Sequence, residues 1–323
     1  MIRIFFFIFL VFVMSFFNAK ACLNYYYSID KNGHLHSIGN SEHLTLNLSH
    51  FNKNFNKEKQ VSSLHKHEKK LASTHSYKNL SDYSVTLLKL GKNKEALQLL
   101  IELYKYFPKE YNILANLGTA YELNNKADSA LKYINIGLKL NPSGHEKSEW
   151  VHIKILETKL NLQKDNFYLQ KNSVLQLSEK QKLDTLIRKQ IKIQVQERFP
   201  FSPSPDPIMA SIFVDLGDCF ANTYSIEYAR VLYQIASEYY GDKFAIIYEK
   251  IKNVEKLATK YSTIKPEPHT KNPHGETDNS KVGWLSYKQF IDDNDKTNYS
   301  INWSAINMNV QSLVKMVDFT KKN

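Results

Sequence analysis

Apolar residues recur three and four positions apart through most of 78–260, a spacing that places their side chains on one face of an α-helix. Within this stretch, Pro108 and Pro142 each follow two such helical segments and stand 34 residues apart. Proline lacks a backbone N–H and restrains the residue before it, so it is typical of positions where a helix has ended. The sequence therefore predicts two successive helix pairs, over 77–110 and 111–144.

The two predicted units carry similar residue types at equivalent places. Place 8 is small in both (Ser84 and Gly118), and place 20 is alanine in both (Ala96 and Ala130). The two helices of a unit are expected to cross at these places, where a bulky side chain would force them apart. Large residues at places 4, 7, 11 and 24 would fill the layer between the helices. The pattern is that of a packed helical hairpin.

A third match begins at Ala210, with Gly217 at place 8 and Ala229 at place 20. The three units together resemble the tetratricopeptide repeat (TPR) family, and the chain resembles an exported bacterial TPR-containing protein. This resemblance implies an all-α, TPR-like solenoid of helical hairpins with an irregular middle, a polar N-terminal lead-in and a C-terminal tail. The low glycine content, 10 in 323 residues, also favours helix over a turn-rich β fold.

The repeat register fails between the second and third units. We expect one helix over 145–162 and another over 177–197, followed by a proline-rich connector that cannot be helical. The inward faces are predicted to carry Trp150, Ile153, Leu156 and Leu160 in the first helix, and Leu183, Leu186, Ile187 and Ile191 in the second. The predicted segments are a signal peptide (1–21), a His-rich lead-in (22–76), two TPR units (77–144), irregular helices with the connector (145–209), a TPR-like unit with a closing helix (210–261), and a linker with a short C-terminal helix (262–323).

The first 21 residues are typical of an export signal. Arg3 precedes a 14-residue run over 4–17 that is apolar except for one serine. About 20 apolar residues are needed to cross a bilayer as a helix, so this run is better suited to a signal peptide, although an uncleaved anchor is an alternative. Ala19 and Ala21 form an A-x-A site that predicts cleavage before Cys22. We expect an exported protein of the periplasm or cell envelope.

Cys22 would then be the first residue of the mature chain. This arrangement resembles bacterial lipoprotein processing, but Ala19 and Lys20 depart from the usual lipobox, so soluble export and membrane attachment through Cys22 both stay open. If Cys22 is not lipidated, Cys219 is its only intramolecular disulfide partner, and an oxidising compartment would permit that bond. The alternative for Cys219 is a small buried apolar residue.

The lead-in is rich in histidine and otherwise polar. A hairpin with Asn32 and Gly33 at its turn fits the start of this segment, and the rest is expected to be extended. On an extended strand, residues i and i+2 face the same way, so two histidine pairs could chelate zinc or copper. These are His34 with His36 and His65 with His67. The alternative is that the histidines are simply solvated.

The sequence carries no catalytic or nucleotide-binding motif, so we expect neither an enzyme nor a cofactor. The net charge of +11 comes from lysines scattered among Asn and Tyr, without a basic stripe, and nucleic acid is not an expected partner. A helix over 301–319 is predicted either to fold back on the solenoid or to dock on a partner or membrane surface.

The TPR resemblance implies a groove lined by the first helix of each pair, which would bind a protein or peptide partner. The residues it places toward a ligand include Lys78, Asp82, Asn112, Asn116, Thr119 and Glu122. Asn112 and Asn116 are the strongest candidates, because an amide both donates to and accepts from a peptide backbone. Asn116 also fits one place of the carboxylate clamp that some TPR domains use. The other places do not match, since they hold Ser81, Val85, Glu146 and Trp150. A solvated helix surface without a ligand is the alternative.

Overall fold

The computed structural model describes residues 26–38, 56–241, 245–261 and 300–320. Strands β1 (Tyr26–Ile29) and β2 (Leu35–Ile38) form an antiparallel pair. The helices are α1 (Lys57–Thr74), α2 (Tyr77–Lys89), α3 (Asn93–Tyr106), α4 (Tyr111–Leu123), α5 (Ala127–Leu140), α6 (Glu149–Lys164), α7 (Tyr168–Lys171), α8 (Glu179–Lys182), α9 (Thr185–Arg198), α10 (Pro207–Thr223), α11 (Ile226–Gln234), α12 (Ala245–Tyr261) and α13 (Val310–Lys315). The all-α fold predicted from the sequence, a helical-hairpin solenoid with an irregular middle, is confirmed.

Helices α2 and α3 form the first hairpin, and α4 and α5 form the second. Ala96 and Ala130 are completely buried where the helices cross. At Gly118 a Cβ atom would lie 2.6 Å from Cγ1 and Cδ1 of Ile134, so glycine permits this close approach. The turns within the hairpins use positive φ angles, +78° at Gly91 and +59° at Asn125. The small residues of the repeat pattern thus set how closely the helices pack.

Helices α10 and α11 form a third hairpin, after which a π-helical turn over Ile235–Tyr239 and then α12 continue the stack. A Cβ atom at Gly217 would overlap the ring of Tyr233, and Ala229 is completely buried. This hairpin shares one apolar core with α6 and α9, while α1 to α3 belong to a second core. A third, smaller cluster joins α5 to α6 through Ala130, Ile134 and Leu156.

The second part of the lead-in is helical, which corrects the expectation of an extended segment. Asn56 caps α1 by accepting a hydrogen bond from the backbone N–H of Lys59, at 3.1 Å. Val61, Leu64 and Leu71 are buried against α2. This apolar stripe is narrow in a strongly polar stretch, so packing against α2 rather than strong amphipathicity stabilises the helix.

The helices of the irregular middle are shorter than predicted. The backbone at His145, Glu146 and Lys147 has positive φ angles, so α6 begins only at Glu149. It buries Val151, His152, Ile155 and Leu156; of the four residues expected inside, Leu156 alone is fully buried.

Asp184 caps α9, so this helix begins at Thr185 rather than at the predicted position 177. Ile191 is buried as expected, but Leu183 and Leu186 are 55% and 53% exposed. Leu183 lies before α9 and Leu186 lies in its first turn. The helical period that predicted their burial therefore does not apply across the whole segment.

The C-terminal segment folds back on the first hairpin, and α13 is shorter than the predicted 301–319. The C-terminal segment buries Ile306, Leu313 and Val317 in the core of α1 to α3. Tyr83 Oη donates to the carbonyl of Asn307 at 2.5 Å, and the Asp318 N–H donates to the carbonyl of His75 at 2.9 Å. No helix among the described residues is long and apolar enough to cross a membrane.

Candidate functional site

The first helices of two adjacent hairpins, α2 and α4, lie side by side and form one wall of a cavity of about 540 Å³. This wall includes Val85 and Leu88 from α2, and Asn116, Thr119 and Glu122 from α4. The volume is within the range of pockets that enclose drug-sized ligands. The helix face on which the sequence predicted a groove therefore lines a partly enclosed cavity.

The irregular middle of the chain supplies the opposite wall. The turn before α6, helix α6, the end of α9 and the segment 199–206 close over this face. They contribute His145, Glu149, His152, Lys159, Gln194, Gln196, Glu197, Arg198, Pro200, Phe201, Ser202 and Asp206. Two hydrogen bonds tie 199–206 to the end of the third hairpin, from Ser204 Oγ to the carbonyl of Tyr239 and from Tyr240 Oη to the carbonyl of Ser202. The cavity thus lies between the first two hairpins and the irregular middle.

A buried carboxylate joins the two walls. Glu122 Oε1 accepts from Arg198 Nη2 and pairs with Lys159 Nζ at 2.7 Å, and Oε2 lies 2.7 Å from His152 Nε2. Burial alone would raise the pKa of Glu122, but the charge of Arg198 and the contacts of His152 and Lys159 hold it well below its ordinary value. The carboxylate is ionised, and it holds the end of α9 against α4.

A second buried carboxylate, Glu149, is only partly satisfied. Its Oε1 accepts from Tyr111 Oη at 2.8 Å. Its Oε2 is buried and has no hydrogen-bond partner among the described residues; the nearest ionisable nitrogen, His152 Nδ1, is 3.6 Å away, beyond hydrogen-bond distance. Burial would raise the pKa of Glu149, but the neighbouring His152 and Tyr111 lower it overall. The cavity therefore contains an ionised oxygen that lacks a donor.

His145 lies beside these groups and links the turn before α6 to α9. Its Nδ1 is 2.7 Å from Glu197 Oε2, and its Nε2 is 3.7 Å from Glu149 Oε1. The hydrogen bond to Glu197 raises the pKa of His145 above its ordinary value, although partial burial opposes this. This contact connects two elements of the same cavity wall.

Asn116 lies on the α4 wall, and its amide nitrogen is hydrogen-bonded. Its Nδ2 donates to Ser81 Oγ on α2 at 3.0 Å. No donor in the described part of the chain reaches its Oδ1. The amide oxygen is thus available as an acceptor for a bound molecule.

Three of the six predicted groove residues line the cavity, namely Asn116, Thr119 and Glu122. The other three, Lys78, Asp82 and Asn112, are exposed and lie outside it. The sequence reasoning missed Glu149, His152 and Arg198. No local pattern identifies them, because Arg198 meets Glu122 across 76 positions of the chain.

The same face of the third hairpin is occupied by the chain itself. The backbone N–H of Val174 donates to Ser211 Oγ at 2.9 Å, and that of Leu175 donates to Asp215 Oδ2 at 3.2 Å. Val174 and Leu175 are buried there. Counting from Ala210, Ser211 and Asp215 occupy places 2 and 6 of the repeat, and place 6 of the second unit is Asn116. The first helix of a unit thus binds a non-helical backbone at these places.

The four histidines of the predicted metal site are in two different settings. His34 Nδ1 and His36 Nε2 lie 3.0 and 3.1 Å from the same oxygen of buried Asp30. His65 and His67 are in helix α1, where residues two apart point in widely different directions, which corrects the expectation that they share a strand face. No group of three or more His, Cys, Asp or Glu side chains within the described residues has the arrangement to hold a metal ion.

Cys219 is completely buried in α10, and burial raises the pKa of its thiol to about 12. It is a free thiol. The predicted signal peptide and Cys22 lie outside the described residues. The disulfide and lipidation hypotheses both stay predictions.

Comparison of the chain with family models, curated proteins and solved structures found no match.

Proposed function

We propose that this chain is a non-catalytic TPR-type interaction module or scaffold of the bacterial cell envelope, which holds a short extended segment of a protein partner in its cavity. The observation that supports this proposal most directly is the seating of Val174 and Leu175 on the third hairpin. It demonstrates, within the same chain, how the first helix of a unit holds a backbone. The cavity beside α4 offers an equivalent helix face.

The lining of the cavity suits such a segment. Val85, Leu88, Ala115 and Phe201 can contact apolar side chains. The free amide oxygen of Asn116 can accept from a backbone N–H. Apolar walls with a few polar groups are the usual composition of sites that fix both the position and the direction of a ligand.

Site-specific photo-crosslinking tests this proposal with two matched positions on α2. Lys89 lines the cavity, whereas Lys78 on the same helix is exposed outside it. A benzophenone amino acid at position 89 is expected to capture a partner from envelope extract, and the same group at position 78 is not. Thr119→Trp, which fills the cavity, should abolish the adduct. Equal capture from both positions, or an adduct unaffected by Thr119→Trp, would overturn binding in the cavity.

The envelope location is supported by residues 1–21. Cleavage before Cys22 predicts a mature chain that begins with this cysteine. Intact mass measurement of the chain from its native host tests this, and also distinguishes a diacylglyceryl adduct from a two-hydrogen loss due to a Cys22–Cys219 disulfide. A chain in the cytoplasm that retains Met1 would overturn export.

A further inference from the structure

We propose that the cavity anchors a cationic side chain of the bound segment, a lysine ammonium or an arginine guanidinium, on Glu149. The inference rests on the proposed function and names the chemistry of its ligand. It starts from one atom, Glu149 Oε2, which belongs to a side chain that is only 4% exposed and lines the cavity. A buried carboxylate oxygen without a donor is costly, so a bound donor would gain by satisfying it.

The protein's own cations near this oxygen are engaged elsewhere. Lys159 and Arg198 both contact Glu122. His152 directs Nε2 to Glu122, and His145 directs Nδ1 to Glu197. The remaining nitrogens of these two rings are 3.6 and 3.7 Å from Glu149, too far for a hydrogen bond. No nitrogen of this cluster therefore donates a hydrogen bond to Glu149 Oε2.

The buried carboxylate oxygen of Glu149 favours a cation over a neutral donor. A charged donor to a carboxylate forms a hydrogen bond roughly twice as strong as a neutral one.

The apolar part of the lining suits the methylene stem of such a side chain. Val85, Ile134 and Phe201 lie around the same space. Lysine and arginine commonly bury their stems along apolar surface while the charged head reaches a polar partner. The lining therefore accommodates both parts of a long basic side chain.

Two small probes that differ in one charged group test the inference on the full chain. N-acetyl-lysine N-methylamide carries the ammonium, and N-acetyl-norleucine N-methylamide has a comparable stem without it. We expect the lysine probe to shift the NMR ring signals of His145 and His152 saturably. Its affinity should exceed that of the norleucine probe by about tenfold or more.

Variants of α6 assign the preference to Glu149. Glu149→Gln should lower the affinity for the lysine probe by about tenfold and leave the norleucine probe unaffected. Glu149→Asp keeps the charge and should retain most of the preference. Glu157→Gln is the matched control, because Glu157 is on the same helix but 43% exposed and outside the cavity.

The outcomes separate this inference from the proposed function. Equal binding of the two probes to the unmodified chain would overturn the cationic anchor, whether or not Glu149→Gln folds. A lysine preference that survives in folded Glu149→Gln would also overturn it. A partner captured through position 89 by a segment without lysine or arginine would overturn the anchor alone. Failure to capture any partner through position 89, with the lysine probe still bound, would instead overturn the proposed function.

Discussion

Gly118 sets the distance between α4 and α5 through the absence of a side chain. Gly118→Ala would place its Cβ 2.6 Å from two carbons of the buried Ile134. We expect the free energy of unfolding to fall by about 1–3 kcal/mol, because the core must shift to admit the methyl group. Urea denaturation at equilibrium measures this change.

Gly137 on the facing helix provides the control. Its substituted Cβ would meet its nearest neighbour, Leu114 Cβ, at an ordinary 3.5 Å. Gly137→Ala should be neutral or stabilise by up to about 1 kcal/mol through helix propensity.

A second control removes the side chain that Gly118→Ala would meet. In an Ile134→Ala background, Gly118→Ala should not lower the free energy of unfolding further. A cost that is equal in both backgrounds would show that Ile134 is not the cause.

Glu122 is expected to be the most sensitive ionisable residue of the cavity. Glu122→Gln removes the charge that pairs with Arg198 and Lys159, and it leaves the largely buried guanidinium of Arg198 without a carboxylate. We expect a loss of about 3–5 kcal/mol in the free energy of unfolding at neutral pH. Glu102→Gln, which removes the exposed partner of Lys105, should cost less than about 1 kcal/mol. Similar losses in the two variants would contradict the structural role of Glu122.

At the scale of elements, the turn before α6 carries a pH-dependent contact. The pKa of His145 is raised in the folded chain by Glu197, so the protonated ring contributes stability. This contribution is fully present below the ordinary histidine pKa of about 6.5 and is lost as the pH rises through the higher folded value.

Denaturation of the unmodified chain and Glu197→Gln from pH 5.5 to 8.5 tests this contact. The stability advantage of the unmodified chain should be largest at the acidic end and should shrink as the pH rises. Glu146→Gln is the control, because it removes a neighbouring carboxylate that pairs with Lys189 rather than with His145. An advantage that grows with pH would contradict the assignment.

At the scale of the whole molecule, the C-terminal segment completes the first core. Leu313 is completely buried against the elements around α3, and Lys92 lies 4.2 Å from the ring centroid of Trp303. Leu313→Ala should cost about 2–5 kcal/mol, since it leaves a cavity between the segment and the hairpin.

Amide hydrogen exchange identifies the helices that lose stability in Leu313→Ala. Protection should fall in α1 to α3, which share the core with Leu313, and should persist in α10 to α12, which belong to the other core. Leu183→Ala, at a residue that is 55% exposed, should change neither region. Unchanged protection in α1 to α3 would mean that the segment does not stabilise the first hairpin.

The hairpins followed directly from the sequence because their determinants are local. Apolar residues at helical spacing define each face, and small residues such as Gly118 and Ala130 mark where two neighbouring helices cross. The same reasoning failed at α1, whose apolar stripe is narrow, and at 145–148, where three positive φ angles interrupt the predicted helix. At both places tertiary packing, rather than the local pattern, decides the backbone.

The sequence by itself determined the stacked helix pairs and placed Asn116, Thr119 and Glu122 on one helix face. Only the tertiary structure decided that this face would line a partly enclosed cavity. The same cavity holds Glu149, whose buried Oε2 lacks a donor among the described residues. The tertiary structure also decided that the C-terminal segment would cover the first hairpin, where Tyr83 bonds to a residue 224 positions away. Local spacing encodes helix faces, whereas contacts between distant segments depend on how complete surfaces fit together.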